Sequence, residues 1–434
     1  MASAQGEPGG RGPLDLSVVI PALNEGENLA ELLPRLNGIL QRLATSYEVI
    51  VVTRKPDELT LAAARANDAR VIEQQLTGYG GALSAGFAEA AGDNILTMDA
   101  DFSHPAEFVE SLWTHRNEAD VLIASRYCEG GSADMSWYRY VLSKVLNRFF
   151  AIGLNVDLKD LSSGFRLYRR SVVRGQRIVA TNFDVLQQII VQAYAEGWHI
   201  RELPFAYRPR EHGSSHARIF TVGMACLRTF GQLWLLRNSI LAADYDDRAH
   251  DSRIFLQRYW QRARFRFVGE LIAGEGPVLD IGCGSSRIIA ALPPGSIGVD
   301  VLLRKLRYAR RFGRPLVNGS GFALPFADAS FPCVLCSQVI EHVPKESPIL
   351  DELCRVLKPG GRLVLGTPDY ANWQWVWIEK LYGMVPGSYA DEHISHYTRD
   401  ELIDIMRARG FEYEMERYIL QGELILAFRK PRSA

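Results

Sequence analysis

At 434 residues the chain is too long for one ordinary hydrophobic core, and length alone sets two or three domains. Its 47% hydrophobic and 23% charged content weigh against a disordered chain, and a formal net charge of −1 weighs against wholesale nucleic-acid binding. Residues 1–13, rich in Gly and Pro without an apolar run, read as a disordered tail and not as a signal peptide.

In chain order, Leu16 to Ile20 is a short apolar run ended by Pro21, hence a buried strand. Asn24 to Leu40 has helical spacing, with Pro34 as a candidate kink. Tyr47 to Val52 reads as a strand, Leu59 to Asn67 as a helix and Asp93 to Met98 as a further strand. This β-α-β alternation, continuing to about Arg210, predicts a mainly parallel sheet with helices on both faces. Directly after the last of these strands stands Met98-Asp99-Ala100-Asp101. Two carboxylates one residue apart, at the carboxyl end of a parallel strand, can both approach one hard cation; Mg²⁺ or Mn²⁺ takes oxygen ligands together with substrate phosphates. A turn or a helix cap is the structural alternative.

Basic residues then crowd the stretch holding Arg139, Lys144, Arg148, Lys159, Arg166, Arg169 and Arg170. Such local charge suits a phosphate-bearing partner or an anionic membrane surface, with a solvated face as the alternative. Trp137, Tyr138, Val141, Leu142, Val145, Leu146, Phe149 and Phe150 form an apolar stripe through it. Ile219 to Leu241 is similarly apolar but broken by Arg228 and Arg237, short of the roughly 18 apolar residues of a spanning helix. Both segments suit lying in a lipid interface, with packing on the core as the alternative.

From Ala242 to about Arg264 the apolar periodicity weakens and Asp244-Tyr245-Asp246-Asp247-Arg248 reads as linker. The predicted organisation is a tail at 1–13, a first domain at 14–241, a linker at 242–264 and a second domain at 265–434. The second α/β unit opens with Val278-Leu279-Asp280-Ile281-Gly282-Cys283-Gly284, a strand and a glycine turn that lets a ligand approach the backbone. The next strand ends in Asp300, about 20 residues after Asp280, where a carboxylate can accept from ribose hydroxyls. The glycine turn by itself is equally compatible with NAD or with a mere turn, and Ser285-Ser286-Arg287 follows where a dinucleotide fingerprint has its third glycine. Cys333 and Cys336 lie in an apolar strand-like run without a second pair, and all six cysteines read as reduced cytosolic thiols.

The first domain resembles family 2 glycosyltransferases through an ordered series of motifs. These are Ser17 to Leu29, Gly78-Tyr79-Gly80-Gly81-Ala82, Asp99-Ala100-Asp101-Phe102-Ser103-His104-Pro105, Ser125-Arg126-Tyr127, Asp160-Leu161-Ser162-Ser163-Gly164-Phe165-Arg166 and Arg210 to His216. The branch it looks like is that of the polyprenyl-phosphate (dolichol-phosphate) mannosyltransferases, over residues 14–240. The resemblance implies nucleotide-sugar contacts from Pro21, Ala22, Asn24, Glu25, Asp99, Asp101 and Arg210, and a metal on Asp99 and Asp101. It further implies an acceptor phosphate held by Arg126, with Arg139 and Ser143 one helical turn apart able to share it, and Asp160 as base or positioning group. Two departures stand out. Thr53-Arg54-Lys55-Pro56 occupies the place of the family's Asp-Asp-x-Ser, with Asp57 and Glu58 displaced downstream, and Gly213-Ser214-Ser215-His216 replaces Gly-Glu-Ser-Lys.

The second domain resembles class I S-adenosylmethionine (SAM)-dependent methyltransferases of the small-molecule type. Beyond the glycine turn, the resemblance rests on Leu324-Pro325-Phe326, Ser337 to Val343 and Arg355-Val356-Leu357-Lys358-Pro359-Gly360-Gly361-Arg362. It implies Asp280, Gly282 and Gly284 around the methionine part of SAM, Asp300 on the ribose and Ser320 toward the adenine, where the family often has Asp. Glu341, His342, His393 and His396 fall on the methyl-acceptor side, the histidines as bases or as packing groups.

The whole chain thus reads as two Rossmann-like α/β domains in tandem, a GT-A glycosyltransferase fold and a class I methyltransferase fold. The expected function is sugar transfer from a GDP- or UDP-linked donor to a polyprenyl phosphate, peripheral on the cytoplasmic face of the membrane. Methylation of the lipid-linked sugar or of a pathway intermediate follows. A soluble acceptor, or one half kept as a binding module, are the alternatives that the Thr53–Pro56 loop and Ser320 leave open.

Overall fold

The computed structural model describes residues 14–43, 45–208, 219–383 and 393–432. Arg210 and the Gly213–His216 motif lie outside the described residues. The chain divides into two compact units, one running to Tyr194 and again over Trp198–Trp234, the other comprising Ala195–Gly197 and everything from Leu235.

The first unit is built on β1 (Leu16–Pro21), β2 (Tyr47–Thr53), β3 (Arg70–Glu73), β4 (Asn94–Thr97), β5 (Val121–Ser125), β6 (Ser132–Ala133), β7 (Arg166–Arg169), β8 (Ile200–Pro204) and β9 (Ala206–Tyr207). Seven strands make one sheet in the order β3-β2-β1-β4-β7-β5-β8, and β6 pairs β9 in a separate ribbon. Only β7 runs antiparallel to its neighbours in the large sheet. Leu16 to Ile20 are fully buried because β1 lies between β2 and β4 with both faces covered, the setting that selects a continuous apolar run. Ser17, buried in that run, is satisfied by donating to Glu48 (2.7 Å) and accepting from the Gly92 amide (2.8 Å).

The helix Gly26–Arg42 buries Leu29, Leu32, Leu33, Leu36, Ile39 and Leu40 at helical spacing and carries Pro34 on its exposed side. The helix Trp137–Gly153 buries only Asn147 and Phe150, and Phe149 and Phe150 meet Phe230 of the helix Ile219–Asn238 at ring distances of 4.6 and 5.5 Å. No helix among the described residues is long and apolar enough to cross a membrane.

The basic stretch is less of a surface than its composition suggests. Arg166 is fully buried and donates to the carbonyls of Leu186 (2.9 Å) and Leu161 (2.7 Å). Arg169 pairs with Asp120 and Arg170 with Asp93. Arg139, Lys144 and Arg148 remain exposed.

The second unit holds β10 (Val278–Ile281), β11 (Ile297–Asp300), β12 (Leu316–Asn318), β13 (Phe331–Ser337), β14 (Leu357–Pro368), β15 (Glu412–Ile419) and β16 (Glu423–Arg429). Their order is β12-β11-β10-β13-β14-β16-β15, parallel as far as β14 and then antiparallel. The strand order reverses beside β10, the position at which open α/β sheets bind ligands beyond their carboxyl ends.

The stretch expected as a linker is instead structure. Tyr245–His250 and Phe255–Leu271 are helices, and Arg264 of the longer one donates both its Nε and Nη2 to the fully buried Glu423 on β16 (2.6 Å each). Asp247 accepts from Tyr308 (2.5 Å) and pairs with Arg287. The acidic run is therefore held by long-range partners that composition does not reveal. Cys333 and Cys336 are buried on β13; burial pushes the first thiol up to about 12 and the second well above its usual range, so neither is poised for metal or redox chemistry.

Candidate functional site

In the first unit the residues of interest gather at the carboxyl ends of β1, β4 and β5. Pro21 closes β1, the Ala22 amide donates to Val52 O (2.8 Å), and Asn24 takes a left-handed conformation (φ 58°) that turns the chain into the following helix. Asn28 on that helix's first turn donates to Glu25. Arg54 and Lys55 at the end of β2 are exposed. Asp57, displaced from the usual acidic position, caps the next helix instead: its carboxylate accepts from the Thr60 amide (2.7 Å) and hydroxyl (3.0 Å), and the amide bond foremost holds it below the usual range. The displaced carboxylate is thus committed to a cap.

Asp99 and Asp101 follow β4 directly. Asp99 accepts from the hydroxyl of the half-buried Tyr79 (2.9 Å), and its amide donates to His104 Nδ1 (2.9 Å). Asp101 accepts from the Ser103 amide (3.2 Å) and hydroxyl (2.5 Å) across a Phe102 with φ 60°. Burial lowers His104 despite the nearby Asp99 and Asp101 charges, which keeps its imidazole neutral. The glycines of two separate motifs serve this one place. A Cβ on Gly80 would fall 2.0 Å from Ala180 O, so the turn carrying Tyr79 can approach only without one. A Cβ on Gly164 would fall 2.7 Å from the Tyr79 hydroxyl. Asp99 keeps 27% of its side chain open while Asp101 is buried. One solvent-facing and one anchored carboxylate fit a hard divalent ion that also holds phosphates.

Arg126 and Asp160 form a buried bidentate pair, Nε–Oδ2 and Nη2–Oδ1 both 2.8 Å, and the Arg126 amide adds a third bond at 3.0 Å. Burial pushes Asp160 up, but the Arg126 hydrogen bonds and charge outweigh it and hold the carboxyl below its usual range. A fully buried, ion-paired carboxylate is a poor proton acceptor, so the geometry favours Asp160 as a positioning group over a base. Glu202 on β8 fixes the same loop, accepting from the Asp160 amide (2.8 Å), the Lys159 amide (2.9 Å) and the Ser125 hydroxyl (2.7 Å). Sequence reasoning missed Glu202, as it did Asn147, which donates to Ser143 O (2.9 Å) and Ser162 Oγ (2.8 Å) and so ties the helix of Arg139 and Ser143 to the Arg126 loop. Arg126 thus carries its counter-charge with it, whereas Arg139 is exposed and has no ion pair among the described residues.

In the second unit a cavity of about 660 Å³ opens over the carboxyl ends of β10, β11 and β13, lined by Asp280, Gly282, Gly284, Asp300 and Ser320 among others. Gly282 (φ 71°) and Gly284 (φ 54°) both have left-handed backbones, and a Cβ on Gly282 would fall 2.2 Å from Val339. Asp300 accepts from the Gly284 amide (2.8 Å) and the Leu302 amide (2.7 Å), which fixes its carboxylate at the rim. Asp280 is buried, and burial with the neighbouring Asp300 charge pushes it up to about 7. A buried carboxylate beside a second one, lining a cavity, fits a cationic ligand such as a sulfonium-bearing amino acid. Ser320 keeps its hydroxyl at the lining and accepts from the Phe322 amide (3.1 Å). The lining also includes Asp246 and Lys305, an ion pair at 2.9 Å, of which Asp246 falls in the stretch expected as a linker.

Of the residues expected on the methyl-acceptor side, Glu341 is fully buried and burial pushes it up to about 8. His342 lines the cavity and stands 5.0 Å from the His393 ring. His396 stacks on Tyr370 at 4.1 Å. The structure thus brings these four residues into one neighbourhood.

The chain's similarities to known proteins follow the same division. The glycosyl transferase family 2 model matches residues 17–175, and a methyltransferase domain model matches residues 279–365. The chain is 33% identical over 220 residues to a dolichol-phosphate mannosyltransferase of Pyrococcus furiosus, covering 48% of this chain and 61% of the relative. It is 29% identical over 207 residues to an undecaprenyl-phosphate 4-deoxy-4-formamido-L-arabinose transferase of Pseudomonas fluorescens, covering 46% and 59%. The chain therefore spans about three fifths of the length of these curated relatives. Among solved structures, a SAM-dependent methyltransferase from Thermotoga maritima is 26% identical, covers 40% of this chain and 94% of its own, and has a TM-score of 0.34.

Proposed function

We propose that this chain, which carries a family 2 glycosyl transferase domain followed by a methyltransferase domain, is a bifunctional enzyme of lipid-linked sugar synthesis. Its first unit transfers a sugar from a GDP- or UDP-linked donor to a polyprenyl phosphate, and its second methylates the lipid-linked sugar or another intermediate of that pathway with SAM. Both curated relatives are named for polyprenyl-phosphate substrates, which supports the acceptor class.

The observation that carries the lipid acceptor is the free face of the helix Trp137–Gly153. Trp137, Leu142, Val145 and Ile152 are each more than half exposed, beside the exposed Arg139, Lys144 and Arg148. Met224 and Leu227 of the helix Ile219–Asn238 are also exposed, and the two helices join through Phe149, Phe150 and Phe230. Aromatic and aliphatic groups interleaved with cations suit the lipid interface better than water. A peripheral position on the cytoplasmic face agrees with six unpaired thiols.

In this reading Asp99 and Asp101 hold a divalent ion, Mg²⁺ or Mn²⁺, that offsets charge on the departing nucleoside diphosphate. The acceptor is an anion at neutral pH, so the protein's task is positioning and charge compensation. Arg139 and Ser143 take the acceptor phosphate, and Arg126, oriented by Asp160 and Ser162, offers hydrogen bonds to it. The nucleotide lies against Pro21, Ala22, Asn24 and Glu25, with Arg54 and Lys55 supplying positive charge where relatives of this type have carboxylate. In the second unit Asp280 and the Gly282–Gly284 turn hold the amino-acid end of SAM, Asp300 the ribose and Ser320 the adenine.

The test is transfer of labelled sugar to polyprenyl phosphate set against a water-soluble phosphate acceptor. Preference for the soluble acceptor would defeat the reading. The membrane element is tested separately: the double substitution Leu142→Glu and Val145→Glu is expected to reduce co-sedimentation with anionic vesicles at least tenfold while the thermal transition stays unchanged. Undiminished co-sedimentation would mean that this face does not dock on lipid.

A further inference from the structure

The acceptor side of the second unit carries a feature that methyl transfer alone does not require. Glu341, His342 and His393 each present a ligand atom, and these atoms all lie within 4.8 Å of one another. That is slightly wider than the roughly 4 Å that two ligand atoms about 2.0–2.2 Å from one ion can span. The local backbone enforces the grouping. Gln338 has φ 60°, a short 3₁₀ turn follows at Ile340–His342, and the Glu341 carbonyl accepts from the amides of both Ile394 (2.8 Å) and Ser395 (3.0 Å). Residues 51 apart in the chain are thereby held side by side.

A second feature at the same place points to a polar ligand. Neither carboxylate oxygen of the fully buried Glu341 makes a hydrogen bond of full geometry among the described residues; its weaker contacts are with the Thr367 hydroxyl and its own backbone. Ser337 Oγ and Gln338 Nε2, at the same end of β13, are also buried without partners. Buried polar groups are rarely left unpaired, and a concentration of them marks a place for an ion or polar ligand. His393 is meanwhile oriented from behind: Nδ1 contacts the Tyr370 hydroxyl (2.6 Å) and Glu379 Oε1 (3.2 Å). A carboxylate on one ring nitrogen leaves the other with its lone pair, the arrangement that supports a metal-ligating histidine.

We propose that Glu341, His342 and His393 bind a divalent transition-metal ion beside the methyl-donor cavity. Two imidazoles and one carboxylate are the donor set for Zn²⁺, Mn²⁺ or Fe²⁺, and they leave coordination positions open to a hydroxyl-bearing acceptor. The inference rests on the methyltransferase reading of this unit for its purpose, though not for its geometry. In the reaction the hydroxyl oxygen bonds to the methyl carbon, the carbon–sulfur pair returns to sulfur, and the hydroxyl proton leaves to water. Coordination would favour loss of that proton.

The experiment uses the full chain with Asp99→Ala and Asp101→Ala, so that the carboxylate pair of the first unit contributes no ion. After chelation and dialysis it is titrated with Mn²⁺ and with Zn²⁺, followed by electron paramagnetic resonance and metal analysis, with SAM binding and the thermal transition measured on the same samples. One bound ion per chain is expected, with affinity reduced at least tenfold by Glu341→Gln and by His393→Ala while SAM still binds. Absence of a bound ion in the folded, SAM-binding protein overturns the metal site and leaves the methyltransferase reading intact. Ion binding undiminished in both folded variants overturns it equally. Failure of SAM binding in the parent chain would instead count against the methyltransferase reading, and the metal titration would still decide the ion. Should Glu341→Gln not fold, His393→Ala alone carries the comparison.

Discussion

Asp101→Ala is expected to lower sugar transfer by about 10²–10³-fold, the cost typical of removing one preorganised group that stabilises developing charge. On the proposed reading the substitution removes an anchored metal ligand, and it also releases the turn, because the Ser103 amide and hydroxyl both bond that carboxylate. Asp101→Asn separates the two effects: the amide oxygen can still accept from Ser103, but the negative charge is gone. Transfer in the asparagine variant is expected to fall nearly as far as in the alanine variant, with the thermal transition close to wild type. Initial rates across a range of Mn²⁺ concentrations provide the check. An asparagine variant with near wild-type transfer would make Asp101 a turn former only, the structural alternative open at the sequence level.

The second large effect lies at Asp280. Its carboxyl is pushed from an ordinary carboxylate value up to about 7 by burial and by Asp300, so the folded state holds a proton there that the unfolded chain releases. A group raised in the folded state stabilises fully below its unfolded value, and that contribution is lost as pH rises through the folded value. The ligand-free protein therefore loses stability at this group between about pH 4 and pH 7, by at most about 4 kcal/mol at 1.36 kcal/mol per unit. Asp280→Asn removes the dependence. The ligand-free variant is expected to melt higher than wild type by several degrees at pH 8, with a smaller difference at pH 5. The same change is expected to weaken SAM binding by on the order of 10–100-fold, since a charged hydrogen-bond partner of the methionine end is lost. Thermal scans at the two pH values and a SAM titration read both. Lower stability at pH 8 together with unchanged SAM affinity would remove Asp280 from the binding site.

How far the sequence revealed this arrangement depends on the range of the interactions involved. β1 and β10 were legible because a continuous apolar run is what a two-sided parallel strand demands, and the acidic and glycine residues beyond them sit where such sheets take ligands. β7 was not. Arg166-Leu167-Tyr168-Arg169 looks like part of a basic surface, yet Arg166 is buried by carbonyls of Leu161 and Leu186 that only the folded chain brings to it. The Asp244–Arg248 run looked like a linker for the same reason, its partners Tyr308, Arg287 and Lys305 lying far along the chain. Asp57 was visible as a carboxylate out of place, and the Thr60 amide three residues on explains where it went. The apolar stripe of Trp137–Gly153 was legible as periodicity, but its exposure is a property of the tertiary structure. His342 and His393 were each expected on the acceptor side, as bases or as packing groups. Their convergence with Glu341 was not, because the Ile394 and Ser395 amide bonds that create it have no local signature.

On the proposed reading the first unit delivers its sugar to a lipid phosphate. The most direct measurement supplies wild-type chain with labelled nucleotide sugar, Mn²⁺ and polyprenyl phosphate, and counts label in the organic phase after extraction. GDP- and UDP-linked donors are compared, with the Asp101→Ala variant as control. Label in the organic phase that requires polyprenyl phosphate and divalent ion, and that is lost in the variant, is the predicted result. Label confined to the aqueous phase, or organic-phase label equal in wild type and variant, would contradict the account.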